Sequence, residues 1–146
     1  MNEIQYTIIN LTEENIQKLE ELRYDAYGLD KSKLPIATSF YTKNLQAGKY
    51  LVFGCLYHNQ LIGACYVSNA HNSLYIEQLF ISKQHQKTSL HLGTNLLLHI
   101  LKNKQQVEEY FQTELNYSYL DSKPNAVNFY KNLGYQEKNY LMRKRI

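Results

Sequence analysis

The stretch from Ser82 to His91, SKQHQKTSLH, holds no acidic residue, yet it carries Lys83, His85, Lys87 and His91, with hydroxyls at Thr88 and Ser89. It leads from a run of β-formers, LYIEQLFI, into a segment whose leucines and isoleucine recur at helical spacing. A helix N-terminus presents unpaired N–H groups and the positive end of its dipole, so a cationic loop entering one suits an anion. Successive loop amides between residues 86 and 94 would deepen such a site. An ordinary basic strand-to-helix connection fits the same residues. A second candidate is Glu77, the one acid in its strand. By period-two alternation it shares a face with Tyr75, Leu79 and Ile81, a setting that suits a carboxylate taking a proton. A cross-strand partner or a substrate-orienting group is the alternative reading.

The elements that must position these residues follow from pattern. IQYTIINL reads as a first strand by its β-branched content. Thr12 can cap a helix over EENIQKLEELRYDAYG, whose Ile16, Leu19, Leu22 and Tyr27 form an apolar stripe and whose exit is Gly28. A short helix is expected from Ser39 to Ala47. YLVFGCLY and LIGACYVS form two strands joined tightly through HNQ, and LYIEQLFI extends the meander. The helix GTNLLLHILKNK comes next, then a strand within YFQTELNYSYLD, the short helix NAVNFYKNLG, and a final strand pair, YQEKN and YLMRKRI. The predicted order is β-α-α-β-β-β-α-β-α-β-β. That is a mixed α/β (α+β) domain over residues 1–146, with a mostly antiparallel sheet and helices on both faces. The strand–helix–strand unit over residues 74–121 makes one pair parallel.

Composition narrows the class. At 146 residues, 44% hydrophobic and 20% charged, the chain is globular rather than disordered. It has no apolar run near the roughly 18 residues of a membrane span and no cationic leader at its start, so a cytoplasmic location is expected. Cys55 and Cys65 read as small buried hydrophobes, and no CxxC or His/Cys cluster points to a metal. The net charge of +3 is mild, and MRKRI is its one dense basic cluster. The fourteen tyrosines are scattered along the chain, so no nucleic-acid partner is expected.

The connector resembles the central motif of the GNAT superfamily of N-acyltransferases. There a strand ends on an apolar residue, Q/R-x-x-G-x-G/A follows, and a helix begins with apolar pairs. Counted forward from Ile81, the Gln/Arg falls on Gln86, the first Gly on Ser89 and the second on His91. Counted back from Leu96 and Leu97, the second Gly falls on Gly93 and the first on His91. The loop is therefore either longer than the family's or built with non-glycine residues. Near the C-terminus, NAVNFYKNLGYQE resembles A-x-x-x-Y-x-x-x-G-[FY] through Ala126, Tyr130, Gly134 and Tyr135. Alone, that stretch reads equally as an amphipathic helix with a glycine cap. The family's Asn three residues before the Ala is Lys123 here. The motifs occur in the family's order, and the resemblance covers the whole chain as a small single-domain member.

The resemblance implies acetyl-CoA as co-substrate, a primary amine on a small molecule or peptide as acceptor, and direct transfer in a ternary complex. It puts the pantetheine arm on Leu79, Phe80 and Ile81, with the Leu79 N–H as donor to the thioester carbonyl. The pyrophosphate falls on Gln86, Lys87, Thr88, Ser89, Leu90, His91, Leu92, Gly93 and Thr94, with Asn125 and Phe129 beside the cofactor. Tyr130 becomes the general acid, with simple packing as its alternative, and Glu77 the candidate base. Arg23, Tyr24, Asp25, Tyr27, Phe40 and Tyr41 are candidate acceptor lining. A homodimer is left open. The competing class is a non-catalytic domain of the same fold that binds CoA or a partner.

Overall fold

β-Branched residues of the first segment form β1 (Ile4–Ile8) in the computed structural model, which describes residues 3–30, 32, 40–86, 90–138 and 141–146. Thr12 then caps α1 (Glu13–Tyr27), its hydroxyl accepting the Asn15 N–H at 3.1 Å. Glu13 and Glu14 lie in the first turn, where the helix dipole favours them, and Gly28 ends the helix at a left-handed φ of 66°. The short α2 (Phe40–Gln46) follows. β2 (Leu51–Tyr57) and β3 (Gln60–Ser68) meet through His58 and Asn59, at φ 50° and 61°, the paired positive φ of a two-residue hairpin. β4 (Leu74–Ile81), α3 (Leu92–Lys102), α4 (Lys104–Phe111), β5 (Tyr117–Asp121), α5 (Val127–Asn132), β6 (Gln136–Lys138) and β7 (Leu141–Arg145) complete the order.

The strands form one seven-stranded sheet in the order β1-β2-β3-β4-β5-β7-β6. Every pair is antiparallel except β4–β5, as the strand–helix–strand unit requires. Two apolar clusters cover its faces. Ile16, Leu19, Leu45, Val52, Tyr66 and Phe80 seal α1 and α2 onto one. Phe53, Val67, Ile76, Leu96, Leu97, Ile100, Leu120 and Met142 seal α3 and its neighbours onto the other. Cys55 and Cys65 belong to this second cluster as buried free thiols. The mixed, mostly antiparallel fold class and the two-sided helical cover are both observed.

One element differs from expectation. The segment after α3 is helical again before β5 begins, so the order gains α4. Asn103 breaks the first helix by folding its side-chain amide onto the His99 carbonyl at 2.7 Å. Val107, fully buried, then anchors a second helix of its own. Tyr110 and Phe111 favour strand by propensity, but packing on that anchor prevails.

Candidate functional site

β4 and β5 pair for three residues only, Leu74–Ile76 against Ser118–Leu120, and then part. On its other side β4 stays paired with β3 to its end, where the Ser82 N–H donates to the Ile62 carbonyl at 2.7 Å. Hydrogen-bonded pairs alternate along an antiparallel ladder, so Phe80 also turns its backbone groups toward β3, opposite Ala64. Leu79 and Ile81 turn theirs away, into the gap. Of the three β4 residues expected to meet a donor, Leu79 and Ile81 have that orientation. Phe80 does not, since its side chain is buried against Tyr66 on the α1 face. The gap-facing carbonyls are occupied: Leu79 accepts from the Tyr27 hydroxyl at 3.1 Å and Ile81 from Gln86 Nε2 at 2.8 Å.

Downstream, a pocket of about 250 Å³ brings together Ile81, His85, Gln86, His91, Leu92, Gly93, Thr94 and Phe129. At its floor is the N-terminus of α3, whose first turn carries no acid and no side-chain cap. The first N–H groups of a helix have no intrahelical partner, so they point at this space. His91 adopts φ 49°, a left-handed conformation that costs a non-glycine residue about 1–2 kcal/mol. It stands where the count back from the helix puts the first motif glycine. A Cβ on Gly93 would meet no atom within 4 Å, so protein packing does not explain that glycine, whereas close approach of a ligand to the backbone does. The donor set of helix amides beside an open glycine suits a pyrophosphate. Leu90 is partly buried behind the pocket, its carbonyl accepting Asn95 Nδ2 at 3.1 Å. Asn125 is exposed on the turn before α5 and does not line the pocket, while Lys87, Thr88 and Ser89 lie outside the described residues.

Tyr130 follows Phe129 of that pocket and lies near Tyr27 and Cys65. α5 holds it half-buried, in edge contact with Phe129 and Tyr135 at 5.0 and 5.9 Å between ring centroids. Burial pushes its phenol well above the ordinary value, with Cys65, Tyr27 and Tyr135 adding to the shift. The hydroxyl therefore keeps its proton through the neutral range. It has no hydrogen-bond partner among the described residues, which leaves it available to a ligand.

The expected alternation fails at Glu77. Tyr66 pairs with Gln78 and Val67 with Ile76, so Glu77 is the extra residue of a β-bulge. Its carboxylate accepts the Ser68 hydroxyl at 2.6 Å. It does not share a face with Leu79 and Ile81, which pack in the α3-side cluster. A bulge next to a site re-aims a side chain. Here it turns Glu77 toward Tyr75 and Tyr41, and its charge raises both phenols as a lesser cause after burial. Tyr75 in turn donates to Asp121 at 2.6 Å, so two carboxylates flank the point where the strands diverge. Asp121 and Ser68 were not foreseen, because cross-strand partners depend on register.

The acceptor-lining candidates divide. Arg23 is buried and bound to Glu20 through two bonds of 2.8 and 3.1 Å, with Thr42 and Tyr66 hydroxyls on the same carboxylate. Tyr24 is also buried. Tyr27 lies along β4, and desolvation there pushes its phenol up to about 12. Tyr41 accepts Gln78 Nε2 at 3.0 Å beneath the Arg23 guanidinium, whereas Phe40 is 68% exposed. Asp25 accepts the Lys83 N–H at 3.0 Å.

A parted parallel strand pair, an open helix N-terminus beside it and a buried tyrosine on the next helix describe an acyl-CoA type of cleft. Residues 23–144 match the model of the acetyltransferase (GNAT) domain, and the chain belongs to that family. Solved structures share the fold at low identity. The ribosomal-protein-S18-alanine N-acetyltransferase of Escherichia coli is 16% identical over 97% of this chain and 94% of its own, with TM-score 0.68. The PaiA N-acetyltransferase of Thermoplasma acidophilum, in complex with coenzyme A, is 15% identical over 99% of each chain, with TM-score 0.69. A Pyrococcus horikoshii protein is 12% identical over 92% of this chain, with TM-score 0.70, and this chain spans 44% of its length. No curated protein sequence matches significantly.

Proposed function

We propose that this protein is an acetyl-CoA-dependent N-acetyltransferase acting on a primary amine, carried by a small molecule or peptide, by direct transfer in a ternary complex. The observation that carries this reading is the β4 edge that β5 leaves unpaired beside the open N-terminus of α3. Bound acetyl-CoA supplies the activated acyl group as a thioester. The amides of Leu92, Gly93 and Thr94 would hold the anionic pyrophosphate, with Phe129 beside it. The Leu79 N–H would donate to the acyl carbonyl oxygen and stabilise charge developing there, a role worth about 10²–10³ in rate. An alkyl amine, with pKa about 10.4, enters mostly protonated, and Glu77 takes that proton directly or through water. The amine nitrogen would bond to the acyl carbon as the C–S bond breaks; Tyr130 would give its proton to the departing thiolate and regain one from the proton that the new amide nitrogen sheds.

The test is binding followed by turnover. Acetyl-CoA should raise stability by about 2.7 kcal/mol at a hundredfold excess over its Kd, read as a melting shift. Thiol release should then appear with one member of an amine panel. A shift without thiol release across the panel would favour the non-catalytic reading. No shift with acetyl-CoA, alongside a shift with an oligonucleotide, overturns the enzyme.

A further inference from the structure

Three successive residues at the end of α1 engage β4 and the turn that follows it. Asp25 holds the Lys83 N–H, the Ala26 carbonyl shares Gln86 Nε2 with the Ile81 carbonyl, and the Tyr27 hydroxyl donates to the Leu79 carbonyl. Both carbonyls that β4 turns into the gap are therefore taken by protein groups. The Leu79 and Ile81 N–H groups face the same gap, where β5 no longer pairs. Leu79 is also the place where the edge most needs support. It lies two residues past the bulge at Glu77, where a strand bends and twists more, and it has no strand neighbour on its open side. Tyr27 is itself held firmly. Its ring packs near Phe80 at 6.1 Å, and Lys123 Nζ sits 4.7 Å from its centroid. Lys123 comes from the β5–α5 connection, so the restraint spans the gap.

We infer that the last turn of α1 is a splint for the donor edge, and that Tyr27 is a positioning residue for acyl transfer rather than acceptor lining. By holding the Leu79 carbonyl it fixes the residue whose N–H faces the acyl oxygen. The inference rests on the donor-binding reading above. The ending of α1 at Gly28 places Tyr27 in the final turn, level with Leu79.

Tyr27→Phe removes the hydroxyl and keeps the ring over Phe80. In the ligand-free variant the Leu79 carbonyl ¹³C resonance should move, reporting the lost bond. With a working amine, kcat should fall about fivefold, the scale of one net hydrogen bond, while the CoA Kd from calorimetry stays unchanged and the melting temperature falls by no more than one lost bond explains. An unmoved Leu79 carbonyl resonance overturns the splint. So does an unchanged kcat, or a weaker CoA Kd that accounts for the loss. If the parent protein fails to bind CoA, the donor reading fails separately, and the carbonyl resonance still decides the Tyr27–Leu79 bond.

Discussion

The roles proposed for Tyr130 and Glu77 make opposite demands on their surroundings. A general acid must keep its proton until the leaving group needs it, and the buried Tyr130 phenol is protonated at neutral pH, although its raised pKa also makes it a weaker acid. Tyr130→Phe should leave fold and CoA affinity intact and slow turnover by roughly 10²–10⁴. Activity within twofold of the parent would return the residue to packing between Phe129 and Tyr135. A base must instead be reachable, and the bulge takes Glu77 out of the strand ladder, where its carboxylate meets the Ser68 hydroxyl. Glu77→Gln should lower kcat with little change in the acceptor KM, and the acidic limb of the pH–rate profile should vanish. A raised KM at unchanged kcat would make Glu77 a binder of cationic acceptors. Unchanged kinetics with lower stability would reduce it to the partner of Ser68.

At the scale of elements, the entry into α3 suits an anion because it is poorly built as a helix start. His91 sits at a left-handed φ with no side-chain cap, and no acid in the first turn complements the dipole. An isolated helix would be improved by what this one lacks. Gly93→Glu should therefore act with opposite signs on stability and affinity. The carboxylate gains the dipole interaction, about 0.3–1 kcal/mol, and replacing glycine inside a helix adds a similar amount. No neighbour lies within 4 Å to resist the new side chain. The same charge repels a pyrophosphate, so CoA affinity should drop at least about tenfold while the melting temperature rises, measured side by side. A rise in melting temperature with unchanged affinity would move the anion away from this helix.

For the molecule as a whole, α1, α2 and the sheet are joined through one buried carboxylate. Glu20 takes two bonds from Arg23 on its own helix, one from Thr42 on α2 and one from Tyr66 on β3. Burial alone would raise its pKa, but these donors outweigh burial and hold it below the ordinary 4.5. The folded-state value is thus depressed. The stability it contributes is present above pH 4.5 and is lost as pH falls through the lower folded value. Glu20→Gln should cost about 3–5 kcal/mol at neutral pH, because Arg23 stays buried without its counter-charge. Below pH 4 the gap between variant and parent should narrow in chemical denaturation. A gap that stays constant with pH would mean that Glu20 contributes through packing alone.

Local chemistry was enough to read most of the fold from the chain. The Thr12 cap, the Gly28 exit, the hairpin at His58–Asn59 and the crossover from β4 to β5 depend on neighbours a few residues apart, which a sequence displays. The basic connector and the open start of α3 were legible for the same reason. The break at Asn103 and the helix after it depended on Val107 finding a buried site, which no local propensity reveals. The bulge was also hidden, because one extra residue in β4 shows only against the register of β3, and it reverses the face assigned to everything beyond it. Arg23 looked like a surface cation free to greet a substrate, yet tertiary packing brought Tyr66, forty-three positions away, to the same carboxylate and closed the charge inside. Tyr27 was read as one face of an amphipathic helix. Its bond to Leu79 exists because the fold lays the end of α1 along a strand edge that β5 leaves unpaired, and contacts of that range are set by topology rather than by any spacing along the chain.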